Sequence, residues 1–163
     1  MEIWDAYDEN YNIIEGITLV RGDEAFIPEG VYHLVCDIIV KHIDGTYLLM
    51  QRDPRKHYPL MWEASAGGSA LKGESPLDAA TRELFEETGI KSSTLKEIGR
   101  KISPKNKTAY ADFYCETDCD KDSIVLQEGE TVNYRWIDRD ELFRLKEDEL
   151  VTDRVLKFLD DSL

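Results

Sequence analysis

Residues 68–90 constrain this chain more than any other segment. Ser75 has the side chain of a helix N-cap, and Pro76 has the fixed backbone angle that suits a first helical position. Gly89 is a typical residue for a helix C-terminus. The pattern predicts a helix over residues 76–88.

Two faces of the predicted helix differ in chemistry. An apolar stripe at helical spacing is expected to be buried; it consists of Leu77, Ala80, Leu84 and Thr88. Glu83, Glu86 and Glu87 lie at i, i+3 and i+4, so they project from one side of the helix. Like charges at this spacing repel each other. The alternatives are a solvated acidic face paired with Arg82, and a site for a divalent cation with oxygen ligands, such as Mg²⁺ or Mn²⁺.

The glycines around the helix favour the cation site, because glycine lets the backbone approach a ligand closely. The spacing from Gly68 to Ile90 resembles the Nudix box, G-x5-E-x7-R-E-U-x-E-E-x-G-U, where U is aliphatic. All nine constrained positions match: Gly68, Glu74, Arg82, Glu83, Leu84, Glu86, Glu87, Gly89 and Ile90. The segment is therefore identified as a Nudix box.

The resemblance implies an enzyme, a Nudix pyrophosphohydrolase. Its substrate would be a small molecule with a diphosphate linkage, either a nucleoside diphosphate derivative or a related organic diphosphate, and its cofactor Mg²⁺ or Mn²⁺. The expected metal ligands are the carboxylates of Glu74, Glu83, Glu86 and Glu87 and the carbonyl of Gly67.

The catalytic residues implied by the resemblance are the three helix carboxylates, Arg82 and a general base. Arg82 would orient the carboxylates by ion pairing. The base is either one of these carboxylates or an acid outside the box. Glu130 and Glu128 are the first candidates outside the box, and Glu116 is the weaker one.

Basic residues are scarce in this chain, so their clusters are informative about phosphate binding. Arg52, Arg55 and Lys56 lie in the region leading to the box and are predicted to bind substrate phosphates. A second group lies in a stretch without acids, and solvated surface lysines are the expectation there; it comprises Arg100, Lys101, Lys105 and Lys107. The Tyr110 ring is expected either to stack on a nucleobase of the substrate or to pack in the core.

The rest of the chain alternates strand and helix patterns. A hairpin is expected at the N-terminus, followed by strands and two C-terminal helices. The predicted strands are 2–7, 12–20, 33–41, 46–52, 94–103, 108–117 and 131–137, and the helices are 138–146 and 148–160. These elements predict an α/β protein with the Nudix fold, an α/β/α sandwich with a mixed sheet. A single domain is expected over residues 1–163, with residues 1–28 as an N-terminal hairpin extension.

A second, more scattered resemblance is to the Nudix branch that includes type-1 isopentenyl-diphosphate isomerases. It rests on residues 4–10, 30–34 and 51–62. The cysteine and histidine that the isomerases carry around the box glycine are Gly67 and Ser69 in this chain. The alternatives to hydrolysis are an isomerase-like enzyme and a non-catalytic Nudix module that binds nucleotides.

The composition limits the partners. The formal net charge of −14 disfavours binding to nucleic acid or to an anionic membrane through bulk charge. Three cysteines without paired spacing, together with an acidic N-terminal sequence, predict a cytoplasmic protein with reduced thiols. The N-terminal hairpin and the acidic C-terminal helices offer surfaces for a homodimer.

Overall fold

The computed structural model describes residues 1–63, 65–145, 149–151, 154 and 157. Its strands are β1 (Ile3–Tyr7), β2 (Ile13–Val20), β3 (His33–His42), β4 (Tyr47–Arg52), β5 (Trp62–Glu63), β6 (Ala66–Ser69), β7 (Lys96–Ser103), β8 (Thr108–Thr117) and β9 (Thr131–Ile137). Its helices are α1 (Pro76–Thr88) and α2 (Arg139–Arg144), with a short 3-10 turn at Glu24–Phe26. Each strand predicted from the sequence is present within two residues of its predicted ends.

The strands β3 to β9 form a mixed sheet. β3 and β8 run parallel over ten paired residues, and the chain between them includes α1, which supplies part of the long connection that a parallel pair needs. β4 and β6 pair with opposite ends of the other edge of β3. β7 pairs with β8, while β9 and β5 pair with β4. The glycine-containing β6 therefore lies beside the central strand of the sheet.

Alternating residues of β3 divide the core into two layers. Cys36 and Ile38 pack with Leu84 of α1 on one face of the sheet. Ile39 packs on the opposite face with Leu142 of α2. A strand that is apolar on both faces is expected when helices cover both sides of a sheet. The predicted α/β/α arrangement with a mixed sheet is confirmed.

The N-terminal hairpin of β1 and β2 packs against the start of β3. Trp4 stacks on His33 with ring centroids 4.5 Å apart, and the backbones of Tyr7 and Tyr32 exchange hydrogen bonds of 2.8 and 2.9 Å. Asp5 also accepts a hydrogen bond of 2.8 Å from the Gly73 N–H. The hairpin thus supports the loop that leads into α1.

Some details differ from the prediction. Leu77 is half-exposed, because it lies in the first turn of α1, so the buried stripe is formed by Ala79, Ala80, Leu84 and Thr88. α2 is shorter than predicted because Leu145 is extended. The helix predicted over 148–160 lies largely outside the described residues. Among the residues that are described, no helix is long and apolar enough to span a membrane.

Candidate active site

The helix that carries the carboxylates is capped at both ends. At its N-terminus Ser75 Oγ accepts a hydrogen bond of 3.1 Å from the Asp78 N–H, and the Asp78 carboxylate accepts one from the Ser75 N–H. At its C-terminus Gly89 adopts a left-handed conformation with φ 77°, which glycine enters without steric cost. The glutamates of α1 therefore project from a helix with defined ends.

Arg82 connects most of the acidic residues of the box. Its guanidinium donates to Glu74 at 2.7 and 2.9 Å, to Glu83 at 2.7 Å and to Glu86 at 3.2 Å. It also donates to the Ser69 carbonyl at 3.0 Å. Hydrogen bonds from Arg82 lower the pKa of Glu74. Arg82 thus has the orienting position that the sequence predicted for it.

Glu87 has a different environment. Its side chain is buried, and its Oε2 accepts a hydrogen bond of 3.1 Å from the Gly67 N–H. Burial, followed by the nearby carboxylates of Glu63 and Glu83, raises the pKa of Glu87 to about 8. Lys56 acts on this carboxylate at longer range. In the described part of the chain, no basic side chain forms a salt bridge with Glu87.

The two glycines of β6 leave space for the acidic groups. A Cβ atom on Gly68 would lie 2.4 Å from the carboxylate of Glu83. A Cβ atom on Gly67 would lie 2.2 Å from Oδ1 of Asp37, the residue paired with it on β3. Any side chain at these two positions would displace a carboxylate.

The donor set fits Mg²⁺ or Mn²⁺ in its chemistry, since carboxylates and the Gly67 carbonyl are hard oxygen ligands. Burial raises the pKa of both Glu83 and Glu87, and only Glu83 of these two is ion-paired with Arg82 among the described contacts. Over the described residues, no three acidic, histidine or cysteine side chains converge on one point. Arg82 holds Glu83 and Glu86, so a divalent cation would compete with this guanidinium for them.

A cleft of about 480 Å³ adjoins β6. The end near α1 is lined by Arg52, Glu63, Gly67 and Gly68. Asp37 of β3 lies between the two ends, opposite Gly67. The far end is lined by polar and charged residues from β7, β8, the loop after β7 and the C-terminal segment: Lys101, Ser103, Asn106, Tyr110, Arg154 and Lys157. The carboxylates of the box thus lie next to a polar cleft.

The three cations predicted to bind phosphate have different positions. Arg52 lines the cleft and forms an ion pair with Glu63. Lys56 forms an ion pair with Glu130. Arg55 lies outside the cleft lining, because Asp53 binds its guanidinium at 2.7 Å and most of its side chain faces solvent.

The candidate bases also separate in space. Glu130 is connected to the site through Lys56, which acts electrostatically on Glu87. Glu128 lies near Arg55, outside the cleft lining. Glu116 pairs with Lys41 towards the end of β3 and β8, four residues beyond the Asp37 position opposite Gly67. The structure brings only Glu130 close to the box.

Three charged residues beside the cleft, Asp37, Asp112 and Arg154, were absent from the sequence-based candidates. Asp112 is fully buried and receives hydrogen bonds of 3.0 Å from Nε and Nη2 of Arg154. Arg154 also forms an ion pair with Asp37, and its guanidinium lies 3.8 Å from the Tyr110 ring centroid. Burial raises the pKa of Asp112 and lowers the pKa of Arg154, and their pairing offsets this cost. The sequence signal that could have identified them is the presence of Asp37 and Asp112, each within a largely apolar strand, β3 and β8.

Comparison with known proteins establishes the family. Residues 31–159 match the NUDIX domain. The chain belongs to the Nudix family. The Uncharacterized Nudix hydrolase lmo0368 of Listeria monocytogenes is 34% identical over 148 residues, which cover 90% of this chain and 85% of the relative.

Two further similarities agree with the predicted fold and branch. The crystal structure of DR0079 from Deinococcus radiodurans superposes with a TM-score of 0.78 and 18% identity, covering 99% of this chain and all of that one. The Isopentenyl-diphosphate Delta-isomerase of Streptomyces coelicolor is 34% identical over 98 residues, 58% of this chain and 47% of the isomerase. The Nudix membership and the predicted enzyme class, Nudix pyrophosphohydrolase, are confirmed. Enzymes of this family generally use divalent metals.

Proposed function

We propose that this chain is a Mg²⁺- or Mn²⁺-dependent hydrolase of a diphosphate linkage in a nucleoside diphosphate derivative or a related organic diphosphate. The observation that carries the proposal is the buried carboxylate of Glu87, which has no salt-bridge partner among the described residues and lies beside Gly67 at one end of the cleft. A divalent cation would stabilise the ionised form of Glu87, which burial disfavours, and would attract the anionic diphosphate.

The proposed ligands are the carboxylates of Glu83, Glu86 and Glu87 and the Gly67 carbonyl. Glu74 supports them through its hydrogen bonds with Arg82 and with the Leu71 N–H. When bound, the cation would polarise the phosphate and lower the pKa of attacking water. Arg82 would hold the carboxylates in place, since it contacts three of the acidic groups of the box.

Two basic side chains, those of Arg52 and Lys56, are proposed to bind substrate phosphates. Arg52 lines the cleft directly, and Lys56 lies close enough to Glu87 and Glu63 to act on both electrostatically. Glu130 is the proposed general base, because its ion pair with Lys56 places it next to the box. Binding of a phosphate by Lys56 would release Glu130 to accept a proton from water.

The alternatives to hydrolysis have less support. Isomerisation would need a cysteine in the cleft, and none of the described residues that line it is a cysteine. Cys36 faces the core beneath α1 instead. A purely binding module would have no use for the complete set of box carboxylates. We place the enzyme in the cytoplasm, as the unpaired cysteines Cys36, Cys115 and Cys119 suggest.

The test is turnover of a diphosphate panel with Mg²⁺ or Mn²⁺. The panel comprises a nucleoside triphosphate, a dinucleoside polyphosphate, a nucleotide sugar, ADP-ribose and isopentenyl diphosphate. Product analysis should show cleavage of one phosphoanhydride bond, abolished by a chelator. Interconversion of isopentenyl and dimethylallyl diphosphates would overturn the proposal, and so would saturable binding without turnover.

A further inference from the structure

The far end of the cleft carries paired charges that the hydrolytic step leaves unused. We define the charged wall as Asp37, Lys101, Tyr110, Asp112 and Arg154. Four of these residues line the cleft, and Asp112 lies beneath Arg154. Asp37 of the wall is paired with Gly67 of β6. The backbone of β6 therefore lies between the wall and the carboxylates of α1.

Several contacts hold the guanidinium of Arg154 in one orientation. Asp112 accepts from both Nε and Nη2, and Asp37 accepts from Nη2. The guanidinium also lies over the Tyr110 ring, 3.8 Å from its centroid. Bidentate pairing and stacking together give a cation a defined plane. This wall therefore presents charged groups of fixed orientation, which suit a ligand with polar atoms.

An apolar ligand would fit this wall poorly. A prenyl chain placed against Arg154, Asp37 and Lys101 would displace water from these charged groups without forming hydrogen bonds to them, which is unfavourable. A sugar or a nucleobase would offer hydroxyl, amide or carbonyl groups to the same side chains. Substrates of the two kinds share the diphosphate, so the wall discriminates only by the group attached to it.

We propose that Asp112 and Arg154 are specificity-determining residues that select diphosphates with a polar, hydroxyl- or base-bearing group and exclude prenyl diphosphates. The inference rests on the proposed function, since it assigns the wall to the group attached to the diphosphate. Arg154 acts directly on this group, and Asp112 positions Arg154.

The test compares ADP-ribose and UDP-glucose with dimethylallyl diphosphate as probes. Values of kcat and KM are measured with Mg²⁺, and dissociation constants with Ca²⁺ in place of the catalytic metal. In the D112N/R154M double variant, the ratio of kcat/KM for the polar probes to that for the prenyl probe should fall about tenfold or more. The change should lie mostly in KM and be matched by the dissociation constants. Arg154→Lys, which keeps the positive charge, should retain most of the selectivity.

A milder pair of variants covers the case in which the double variant fails to fold. Lys101→Met lies on exposed β7 and should shift selectivity in the same direction by about threefold. Arg100→Met is the matched control, because Arg100 faces away from the wall onto Tyr11 and Glu97. It should leave the ratio unchanged.

The outcomes separate this inference from the proposed function. Absence of turnover together with tighter binding of the polar probes contradicts hydrolysis and supports the wall. A wild type that prefers dimethylallyl diphosphate, or an affinity ratio that stays constant in both the double variant and Lys101→Met, overturns the inference.

Discussion

Two buried carboxylates lie on opposite sides of β6, and their surroundings differ. Glu87, on the α1 side, has the Gly67 N–H as a donor and no salt bridge within the described residues. Asp112, on the cleft side, is bound by both Nε and Nη2 of Arg154. Both positions carry the cost of burying an anion. Among the described residues Asp112 is ion-paired with Arg154, whereas Glu87 has only the longer-range effect of Lys56.

The difference indicates what each carboxylate does. A matched pair such as Asp112 and Arg154 stabilises the fold around it and fixes the shape of the cleft. An unmatched carboxylate such as Glu87 destabilises the protein unless a cation arrives from solution. The same fold therefore separates a wall whose charges are paired within the protein from a site where we propose that a divalent cation binds.

Removing the unmatched carboxylate should have the largest effect on activity. Glu87→Gln is expected to lower kcat by about 100-fold or more, because it removes a proposed metal ligand from the reaction centre. Initial rates on the best substrate of the panel, with saturating Mg²⁺, measure the effect. The fold should persist by circular dichroism.

Glu15→Gln is the matched control for this change, since Glu15 is an exposed residue of β2. It makes the same chemical substitution away from the site and should keep wild-type rates. Near-normal kcat in Glu87→Gln would show that Glu87 is not part of the metal site.

Removing the matched carboxylate should affect stability instead. Asp112→Asn leaves the buried guanidinium of Arg154 with Asp37 as its remaining carboxylate partner among the described contacts. We expect a loss of about 3 kcal/mol in the free energy of unfolding. For a chain of this size, that loss corresponds to a melting temperature lower by about 6–12 °C. Thermal unfolding of the metal-free protein measures it, and an unchanged melting temperature would show that the pair is not stabilising.

Alanine substitutions at the two glycines of β6 should have different effects, one mainly on kcat and the other mainly on the free energy of unfolding. Gly68→Ala places a Cβ atom against the flexible carboxylate of Glu83, so the protein should fold while kcat falls about tenfold. Gly67→Ala also places a Cβ atom 2.8 Å from the backbone carbonyl of Cys36, which cannot move alone. The expected loss is about 1–3 kcal/mol in unfolding free energy. Paired rate and denaturation measurements check both, and equal effects in the two variants would contradict the distinction.

The smallest expected difference concerns two neighbouring arginines. Arg52→Met should raise KM for a diphosphate substrate by about tenfold, because Arg52 lines the cleft. Arg55→Met should change KM less than about twofold, since Arg55 lies outside the cleft lining and most of its side chain faces solvent. Steady-state kinetics on both variants measure the contrast. A larger KM effect for Arg55 would show that it reaches the substrate.

Most of the α1 side was predictable because its information is local in the sequence. The spacing from Gly68 to Ile90, together with the Ser75 cap, gives the helix, its carboxylate face and the role of Arg82. Gly67 was predicted as a metal ligand and Gly68 as a glycine of the box, and no strand was predicted there. Glycine is depleted in strands, yet both residues belong to β6, which pairs with β3.

The cleft side could not be predicted in the same way, because its contacts join distant residues. Arg154 meets Asp37 across 117 positions of the chain, and no periodic pattern records such a pair. Arg55 and Arg52 are indistinguishable as cations in the sequence, and each forms an ion pair with a carboxylate. Only the fold shows that Arg52 lines the cleft while Arg55 faces solvent. The position of each residue in the fold therefore determines which charged residues line the cleft.

The central claim is that a divalent cation from solution neutralises Glu87. The most direct measurement is thermal unfolding of the wild type and Glu87→Gln at one neutral pH, with a chelator and then with saturating Mn²⁺. We expect the metal-free variant to melt at or above the metal-free wild type, because burial raises the pKa of the Glu87 carboxyl and thereby destabilises the folded wild type at neutral pH. Mn²⁺ should raise the melting temperature of the wild type by about 5 °C or more and that of the variant by much less. An equal rise in both proteins would contradict the claim.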